Sequence, residues 1–430
     1  MKLSTFNVIK KLNDDIWIYN TLTSGFIHTN IKEWKQIQCN IDTLPETSKN
    51  TLKENGIIVE SNEVEVEVEL YKYFYYNNAF ANQVPFLYIA PTMKCNFGCF
   101  YCFENGNKNM GNMTNDIALK IVQFLKAQKK DKVNIVWFGG EPLLGFNQIQ
   151  YISDLLNSYH IEFSSSLITN GSLLTLDKIK QLANLNVKFI QISMDGVGKI
   201  HDNRRCFLNG KPTFSLISSN ITNLLLNSSI PVCIQITVDH SNETAYNDMQ
   251  EYARENWSQY IESGQLRVGL NYVQNRTSFD NSGICFSKHD IIKNEIKKIL
   301  SLNLSDVKIP QKALPCMFRS SWYYAIDPEG YLYKCIEHLG NPSKSVGSLC
   351  DDKLFLTKLA TSCFNQDAFN DPKCTKCAVF PICGGGCPLD RIKNQNCNND
   401  YCSKYKDGLS SLLPYLYKKI MQNQTNHEKI

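Results

Sequence analysis

The sequence predicts an α/β protein in which a partial (β/α)6 barrel is joined to a small N-terminal α+β domain and a cysteine-rich C-terminal region. Two observations support this fold class. Apolar, β-branched strands alternate with amphipathic helices between residues 85 and 302, and ten of the 17 cysteines follow residue 315. A chain of 430 residues with 43% hydrophobic residues is long enough for one large domain and one or two smaller ones.

The first segment, from residue 1 to about residue 80, is predicted to be the small N-terminal domain. The stretch WIYNTLTSGFIHTN indicates two short strands around a Ser-Gly turn, EWKQI and SKNTLKENG indicate short helices, and GIIVE indicates a strand. The acidic alternation EVEVEVEL leads out of this domain. A packing role and a peptide-docking role both remain open for it.

The central region is predicted to contain six strands, each followed by a helix. The predicted strands are 85–90, 133–138, 162–169, 188–194, 232–238 and 265–273. The predicted helices lie near 114–129, 146–157, 175–185, 214–227, 242–256 and 289–302. Six such units imply a parallel sheet with right-handed crossovers, curved into a TIM-like partial barrel whose chemistry lies at the carboxyl ends of the strands.

The C-terminal region has many cysteines and little hydrophobic periodicity, so it is predicted to fold around metal. AIDPEGYLYKC indicates a hairpin that turns at Pro328 to Gly330, SLLPYLYKKIMQ indicates a final helix, and NQTNHEKI indicates a frayed tail. The predicted domain boundaries are 1–80 for the N-terminal domain, 81–305 for the barrel, 306–413 for the cysteine-rich domain, and 414–430 for the helix end and tail.

Composition narrows the class of protein. The chain has 45 Lys and Arg against 41 Asp and Glu, and no basic stretch lies beside exposed aromatics, so nucleic-acid binding is not expected. No apolar run is long enough to cross a bilayer and the N-terminus lacks a secretory signal, so we expect no membrane association and a cytoplasmic location. In a reducing interior, the cysteines are predicted to be metal ligands rather than disulfides.

A first group of cysteines follows the first barrel strand. Cys95, Cys99 and Cys102 can hold three irons of a four-iron cluster, which leaves the fourth iron without a protein ligand. An open iron can chelate the amino and carboxylate groups of a small molecule and pass an electron into it. A zinc knuckle and chance clustering are the competing interpretations.

This spacing resembles the signature of the radical SAM superfamily, with Tyr101 in the place of the aromatic residue before the last cysteine. The resemblance implies that the open iron binds S-adenosylmethionine (SAM). SAM would be cleaved to methionine and a 5′-deoxyadenosyl radical that takes a hydrogen atom from the substrate. An electron donor such as flavodoxin or ferredoxin is implied as well.

Loops at the ends of the second, third and fourth barrel strands resemble the SAM-binding segments of the same superfamily, in the same order. Glu141 would add a carboxylate to the loop that receives the SAM amino group, and Asp195 would accept hydrogen bonds from ribose hydroxyls. Arg205 either pairs with the SAM carboxylate or makes a structural ion pair. The residues that the resemblance implies as SAM contacts are Tyr101, Gly139, Gly140, Glu141, Thr169, Asn170, Ser193, Asp195 and Arg205.

The later cysteines resemble the seven-cysteine SPASM domain of radical SAM enzymes that act on peptides and proteins; a zinc ribbon is the competing interpretation. The resemblance implies two auxiliary four-iron clusters. Together with the SAM-binding cluster, the chain would bind three. The first would use Cys316, Cys335 and Cys387. The second would use Cys374, Cys377, Cys383 and Cys402.

Several cysteine assignments stay open. The fourth ligand of the first auxiliary cluster is Cys350 or Cys363, or the position is open, and an open iron could bind a substrate thiolate. Cys397 could exchange roles with Cys402. The remaining cysteines are predicted to be buried thiols, namely Cys39, Cys206, Cys233 and Cys285.

The N-terminal segment looks like the start of peptide maturases that act on ribosomally made precursor peptides, in which a small winged domain binds the leader sequence. The favoured reaction is formation of a thioether crosslink in such a peptide. The alternatives are a carbon-carbon or ether crosslink, oxidation of a Cys or Ser to formylglycine by a sulfatase-maturing enzyme, and a non-catalytic iron-sulfur electron carrier or zinc scaffold. The sequence identifies no catalytic residue beyond the cluster ligands.

Overall fold

The computed structural model describes residues 1–61, 64–81, 83–104, 110–273, 283–301, 310–351, 362, 367–393 and 402–427. The chain forms two compact units. The barrel unit contains residues 82–286 and 321–362, and the terminal unit contains residues 1–81, 287–320 and 363–430. The domain boundaries predicted from the sequence stay a prediction.

The strands and helices of the described residues are numbered in chain order. The strands are β1 (Lys2–Leu3), β2 (Asn7–Leu12), β3 (Asp15–Asn20), β4 (Phe26–Asn30), β5 (Ile58–Val59), β6 (Phe86–Ile89), β7 (Lys132–Trp137), β8 (Glu162–Thr169), β9 (Val187–Met194), β10 (Val232–Val238), β11 (Leu266–Tyr272), β12 (Tyr323–Ile326), β13 (Tyr331–Tyr333) and β14 (Gly347–Ser348). The helices are α1 (Ile31–Cys39), α2 (Glu46–Glu54), α3 (Val64–Phe80), α4 (Asn115–Ala127), α5 (Phe146–Ser158), α6 (Leu176–Leu182), α7 (Lys199–Asp202), α8 (Phe214–Asn227), α9 (Ala245–Glu262), α10 (Lys288–Ser301), α11 (Pro372–Thr375), α12 (Phe380–Cys383), α13 (Pro388–Lys393) and α14 (Tyr405–His427). Short 3-10 turns occupy Ile41–Thr43, Pro142–Gly145, Ile336–His338, Pro342–Lys344 and Ala368–Asn370.

The barrel unit is built on one sheet with the strand order β11-β10-β9-β8-β7-β6-β12-β13-β14. The strands β6 to β11 lie side by side in chain order and are all parallel, as expected for strands joined by helical crossovers. All six predicted strands and the first five of their helices lie in the barrel unit, which confirms the partial barrel. The carboxyl ends of these strands therefore meet at one edge of the sheet.

The predicted hairpin is also present in the barrel unit. The strands β12 and β13 pair antiparallel, with Ala325 opposite Tyr333. The sequence did not predict that β12 would continue the barrel sheet by pairing in parallel with β6, with Tyr323 opposite Phe86. A contact between strands so far apart in the chain has no local sequence signal.

The terminal unit contains a three-stranded antiparallel sheet, β2-β3-β4, whose central strand is covered on both faces. On one face, Ile16 and Ile18 of β3 belong to a core with Trp34 of α1 and Leu52 of α2. On the other face, Trp17 and Tyr19 of β3 share a core with α10 and α14. The predicted strand pair around the Ser-Gly turn, the two helices and the following strand are confirmed.

The helix α3 was not predicted, because the alternation EVEVEVEL has the period of a strand. Buried residues at four-residue spacing show why the segment is helical: Glu67, Tyr71, Tyr75 and Ala79 share one face and are at most 5% exposed. Glu67 is tolerated there because its carboxylate accepts hydrogen bonds from the Ser4 hydroxyl and from the Thr5 N–H. Tertiary contacts thus override the local pattern.

Two further differences concern the end of the chain. The helix α14 continues to His427, so most of the segment predicted as a frayed tail is helical in the described residues. The helix α10, predicted to complete the sixth strand-helix unit, packs against α14 in the terminal unit. Within the described part of the chain, no helix combines the length and apolar character needed to span a membrane.

Candidate active site

The three-cysteine loop lies directly after β6, at the carboxyl edge of the barrel sheet. Cys99 is buried, and Cys95 and Cys102 are partly buried. The Gly98 N–H donates to the Cys206 carbonyl oxygen over 3.0 Å. The loop is therefore fixed to the segment that follows α7, which brings two distant parts of the sequence together.

The two glycines after β7 are required because the start of the cysteine loop crosses them. A Cβ on Gly139, whose φ is +107°, would lie 2.5 Å from the Thr92 carbonyl oxygen, and a Cβ on Gly140 would lie 2.4 Å from that of Lys94. Both distances are shorter than any non-bonded contact, so neither position has room for a side chain. The structure thus gives these glycines a packing role, and their contact with SAM stays a prediction.

Glu141 connects the loop after β7 with the end of β8. Its carboxylate is fully buried and accepts hydrogen bonds from the Thr169 hydroxyl (2.7 Å), the Asn170 N–H (2.8 Å) and the Leu143 N–H (3.1 Å). Burial raises the pKa of the Glu141 carboxyl, and the hydrogen bonds oppose this increase. Thr169 and Asn170, two of the predicted SAM contacts, are therefore held in place by a third.

Asn96, which lies between two predicted cluster ligands, was missed in the sequence. The Asn170 side-chain amide donates to the Asn96 oxygen over 2.8 Å, and the Asn96 amide donates to the Ser172 hydroxyl over 2.9 Å. These bonds tie the cysteine loop to the end of β8. Its place inside the cysteine motif was the available signal.

Asp195 is the centre of a buried group of charges at the end of β9. Its carboxylate accepts hydrogen bonds from the Tyr101 hydroxyl, from Arg204 Nε at 3.0 Å and from Arg205 Nε at 2.8 Å. Arg204 also forms a two-pronged ion pair with Asp239, at 3.1 and 2.8 Å. Arg205 thus makes the structural ion pair that the sequence left open, and contacts of Asp195 and Arg205 with SAM stay predictions.

This charged group places a fixed positive charge beside the cysteine loop. Burial alone would lower the pKa of the Arg205 guanidinium, but Asp195, Tyr101 and Cys99 raise it well above its ordinary value. Arg205 Nη1 lies 4.0 Å from Cys99 Sγ. Burial, together with Arg205, lowers the pKa of His201 to about 4, so this imidazole is neutral at pH 7. Three thiols on one fixed loop beside a permanent cation fit an iron-sulfur cluster bound through thiolates.

Comparison with known protein families agrees with this arrangement. The model of the radical SAM superfamily matches residues 89–260, which run from the end of β6 into α9.

The chain contains a radical SAM domain.

The chain is similar to a number of proteins, among them the following three. An uncharacterized protein of Methanocaldococcus jannaschii is 32% identical over 36% of this chain, and the chain spans 54% of that protein. The cysteine-type anaerobic sulfatase-maturating enzyme of Clostridium perfringens is 24% identical, covering 77% of this chain and 96% of the enzyme. The radical SAM cyclopropyl synthase TigE of Paramaledivibacter caminithermalis is 25% identical, covering 80% of this chain and 75% of TigE.

Many solved structures share the fold, among them the following two. The structure of native anSMEcpe with bound AdoMet has a TM-score of 0.60 at 18% identity and covers 80% of this chain and 100% of its own. The structure of Streptococcus suis SuiB bound to precursor peptide SuiA has a TM-score of 0.54 at 14% identity and covers 93% of this chain and 99% of its own. At these identities the likeness supports the fold of the radical SAM domain and nothing finer.

The described part of the radical SAM domain also places Ser193, the last predicted SAM contact. It is partly buried on β9, opposite Gln235 of β10. Neither in this domain nor in the other described residues do three His, Cys, Asp or Glu side chains lie close enough together for a single metal ion. The thiolates of a four-iron cluster bind separate irons, and the assignment of Cys95, Cys99 and Cys102 as its ligands stays a prediction.

In the terminal unit, four predicted ligands line one cavity. The cavity has a volume of about 340 Å³, part of which is open to solvent. Its wall includes Cys374, Cys377, Cys383 and Cys402. Burial raises the pKa of the Cys374 thiol to about 12, which the guanidinium of Arg391 opposes.

Arg391, which the sequence did not indicate, contacts one cysteine of this cavity. Its Nη2 lies 2.6 Å from Cys374 Sγ, and the same guanidinium pairs with Asp371 at 3.2 Å. A cation at a ligand sulfur favours the thiolate form that metal binding needs. The cavity therefore fits the predicted second auxiliary cluster.

The predicted ligands of the first auxiliary cluster belong to both units. Cys316 is exposed and Cys387 is partly exposed in the terminal unit, whereas Cys335 belongs to the barrel unit. Cys350, also in the barrel unit, is exposed and accepts a hydrogen bond from Lys120 Nζ at 3.5 Å. Cys363 and Cys397 lie outside the described residues. This cluster and its fourth ligand stay predictions.

The prediction of four buried thiols is only partly correct. Cys233 is buried, Cys206 and Cys285 are partly exposed, and Cys39 is exposed. Cys39 ends α1, whose buried residues include Ile37. Two residues along a helix correspond to about half a turn, so Cys39 projects away from the face that Ile37 buries.

Proposed function

We propose that this chain is a radical SAM maturase that forms a thioether crosslink in a ribosomally made precursor peptide. The observation that carries the proposal is the cavity lined by Cys374, Cys377, Cys383 and Cys402, outside the radical SAM domain. A second cluster site is of little use for cleaving SAM alone. It is suited to an enzyme that must accept an electron from a substrate or hold the substrate near the reaction.

The residues of the barrel unit have distinct tasks in this proposal. A four-iron cluster on the three-cysteine loop, with SAM, would supply the radical that takes a hydrogen atom from the peptide. Glu141 and Asn170 hold the loops after β7 and β8 in register with the cysteine loop. Asp195 orients Tyr101 and Arg205 beside Cys99. Proximity of these loops positions the reacting groups before chemistry begins.

The crosslinking reaction balances in atoms and electrons if one cluster site serves to cleave SAM and the other accepts an electron. The peptide loses one hydrogen atom from carbon and one proton from the cysteine sulfur as the carbon-sulfur bond forms. One electron is left over, and the auxiliary site would accept it. An iron without a fourth protein ligand in the first auxiliary cluster would also bind the peptide thiolate and lower its proton affinity.

A peptide substrate is supported by the sheet of the terminal unit. β2 and β4 each pair only with β3 among the described strands, so each has one edge that an extended peptide can join by main-chain hydrogen bonds. The fold match to SuiB, whose structure contains a precursor peptide, extends over 93% of this chain, against 80% for anSMEcpe. At 14% and 18% identity these two matches describe the fold alone, so the proposed peptide substrate rests on the edges of β2 and β4.

A second candidate is oxidation of a cysteine or serine to formylglycine. It is favoured by the match to the Clostridium perfringens sulfatase-maturating enzyme, which covers 96% of that enzyme. Carbon-carbon bond formation is favoured in turn by the relationship to TigE, a cyclopropyl synthase. These outcomes differ in the product, so one experiment separates them.

The test uses the full chain, reconstituted anaerobically with iron and sulfide and supplied with SAM, a reductant and a peptide encoded beside its gene. We expect 5′-deoxyadenosine and a peptide that has lost two hydrogens per crosslink and whose cysteine no longer reacts with an alkylating reagent. A formylglycine product, or a crosslink that leaves every cysteine thiol reactive, would contradict the thioether. Without 5′-deoxyadenosine, the chain would be an electron carrier or a scaffold.

Replacing Cys95, Cys99 and Cys102 by Ala provides the control, because these variants remove the proposed radical site without touching the cavity of the terminal unit. We expect the triple variant to make no 5′-deoxyadenosine. If it still cleaved SAM, the assignment of the radical site would be wrong.

A further inference from the structure

A buried guanidinium in the terminal unit has donors without acceptors. Arg319 is 5% exposed, and its Nη1 donates to the Tyr75 hydroxyl at 3.3 Å and to the Gly384 carbonyl oxygen at 3.5 Å. Its Nε and Nη2 have no hydrogen-bond partner in the described part of the chain. No carboxylate of the described residues lies within ion-pairing distance of it.

Such an arrangement is costly unless an anion completes it. Leaving a buried donor unsatisfied costs about 1–3 kcal/mol, and more for a charged group. Fixed positive charges in protein interiors are therefore paired or lie against a bound anion. By contrast, Arg204 in the barrel unit is equally buried and has Asp195 and Asp239 as partners. Of these two buried arginines, Arg204 has carboxylate partners, whereas Arg319 has none among the described residues.

Arg319 lies beside two segments of the terminal unit that carry predicted cluster ligands. Its main-chain N–H donates to the Cys316 carbonyl oxygen over 2.9 Å. Its side chain reaches Gly384, which lies in the loop between Cys383 and Cys387. The guanidinium thus contacts the loop that contains Cys387, while its main chain closes the turn that begins at Cys316. These two cysteines are the ligands that the terminal unit provides for the predicted first auxiliary cluster.

We propose that Arg319 is the charge partner of the first auxiliary cluster, donating hydrogen bonds from Nε and Nη2 to its sulfur atoms and raising its reduction potential. The inference rests on the proposed function, which supplies the cluster. A four-iron cluster bound by thiolates carries net negative charge, and hydrogen bonds to its sulfurs set its potential. With Arg319 in place, the cluster is a better acceptor for the electron left after crosslinking.

The first measurement is a redox titration, followed by electron paramagnetic resonance, of the full chain with its clusters reconstituted. In Arg319→Met, which keeps the length of the side chain without its charge, we expect one auxiliary cluster to be harder to reduce. The ratio of reduced to oxidised cluster at a fixed potential should fall about tenfold, because the two charge-assisted hydrogen bonds that are lost favour the more negative, reduced cluster. Arg319→Lys should restore most of the ratio, and the control Lys49→Met, on α2, should not change it.

The second measurement does not require cluster assembly in the variant. In the cluster-free chain, Arg319 is a buried cation without an anion, so Arg319→Met should raise the thermal midpoint of the terminal unit. In the loaded chain, the same substitution should lower the midpoint, because it removes a partner of the cluster. A structural role through Tyr75 alone predicts a lower midpoint in both forms.

The outcomes separate this inference from the proposed function. If the wild-type chain binds only the iron of the radical SAM site, the auxiliary clusters and with them the proposed function fail. If the auxiliary clusters are present but Arg319→Met leaves every reduction potential unchanged, or lowers the midpoint of the cluster-free chain, the role of Arg319 fails alone.

Discussion

The substitution Asp195→Asn tests whether the buried charges at the end of β9 act as one unit. The carboxylate of Asp195 is fully buried and accepts from Arg204, Arg205 and Tyr101. Asparagine has the same shape but no charge, and only one oxygen to accept with. Arg204 keeps its two-pronged pair with Asp239, so the uncompensated charge falls on Arg205.

The expected magnitude follows from this geometry. Breaking a buried ion pair by removing one partner costs about 3–5 kcal/mol, and we place Asp195→Asn at about 3 kcal/mol because Arg204 retains Asp239. The assay is urea denaturation of the cluster-free chain, followed by the fluorescence of its tryptophans. Asp154→Asn, an exposed position on α5, is the matched control and should change stability by less than about 0.5 kcal/mol.

A second readout links this stability to the site. In the reconstituted chain, Asp195→Asn should reduce the yield of 5′-deoxyadenosine, because Tyr101 and Arg205 lose the acceptor that fixes them beside Cys99. The reasoning would be refuted if Asp195→Asn and Asp154→Asn were equally stable.

Three further predictions follow from the same structure. Gly140→Ala should reduce the iron bound at the radical site, because its Cβ would meet a carbonyl oxygen of the cysteine loop at 2.4 Å, whereas Gly111→Ala, with open space around it, should bind iron like the wild type. Replacing Cys374 and Cys377 by Ala should remove about four irons per chain and block product formation while some SAM cleavage persists, as measured by iron analysis and chromatography. His201, with its pKa lowered to about 4 from 6.5, binds a proton more readily in the unfolded chain, so stability should fall by about 3 kcal/mol as pH decreases from 6.5 to 4. The thermal midpoint of His201→Asn should depend less on pH over that range, and an unchanged dependence would contradict the assignment.

The barrel could be predicted from the sequence because its signals are local. The strand β8 at Glu162–Thr169 and the strand β10 at Val232–Val238 have the predicted bounds, since both are apolar runs between clear helical patterns. The helix α3 was missed because its buried face is defined by packing against Phe369 and Phe380, far along the chain. Local periodicity carries no information about such a contact.

Some parts of the candidate site could likewise be predicted from the sequence, and others could not. The order of the cysteine loop and the predicted SAM loops was visible because each motif is short and contiguous. The pair between Arg204 and Asp239 was not, because it joins residues 35 positions apart whose meeting depends on how β9 and β10 are aligned. Arg319 follows Cys316 closely, yet only the structure shows that part of its guanidinium has no acceptor.

The shared core of β3 and α14 brings together two segments that are far apart in the sequence. Trp17 and Tyr19 pack with Leu409 and Leu413, and the same apolar cluster includes Val379, which lines the four-cysteine cavity. Removing α14 would expose the face of β3 that carries Trp17 and Tyr19, and it would also expose Val379 in the wall of that cavity. The ribosome must therefore synthesise α14 before β3 can complete this core, so any metal loading at the four-cysteine cavity is expected to follow synthesis of α14.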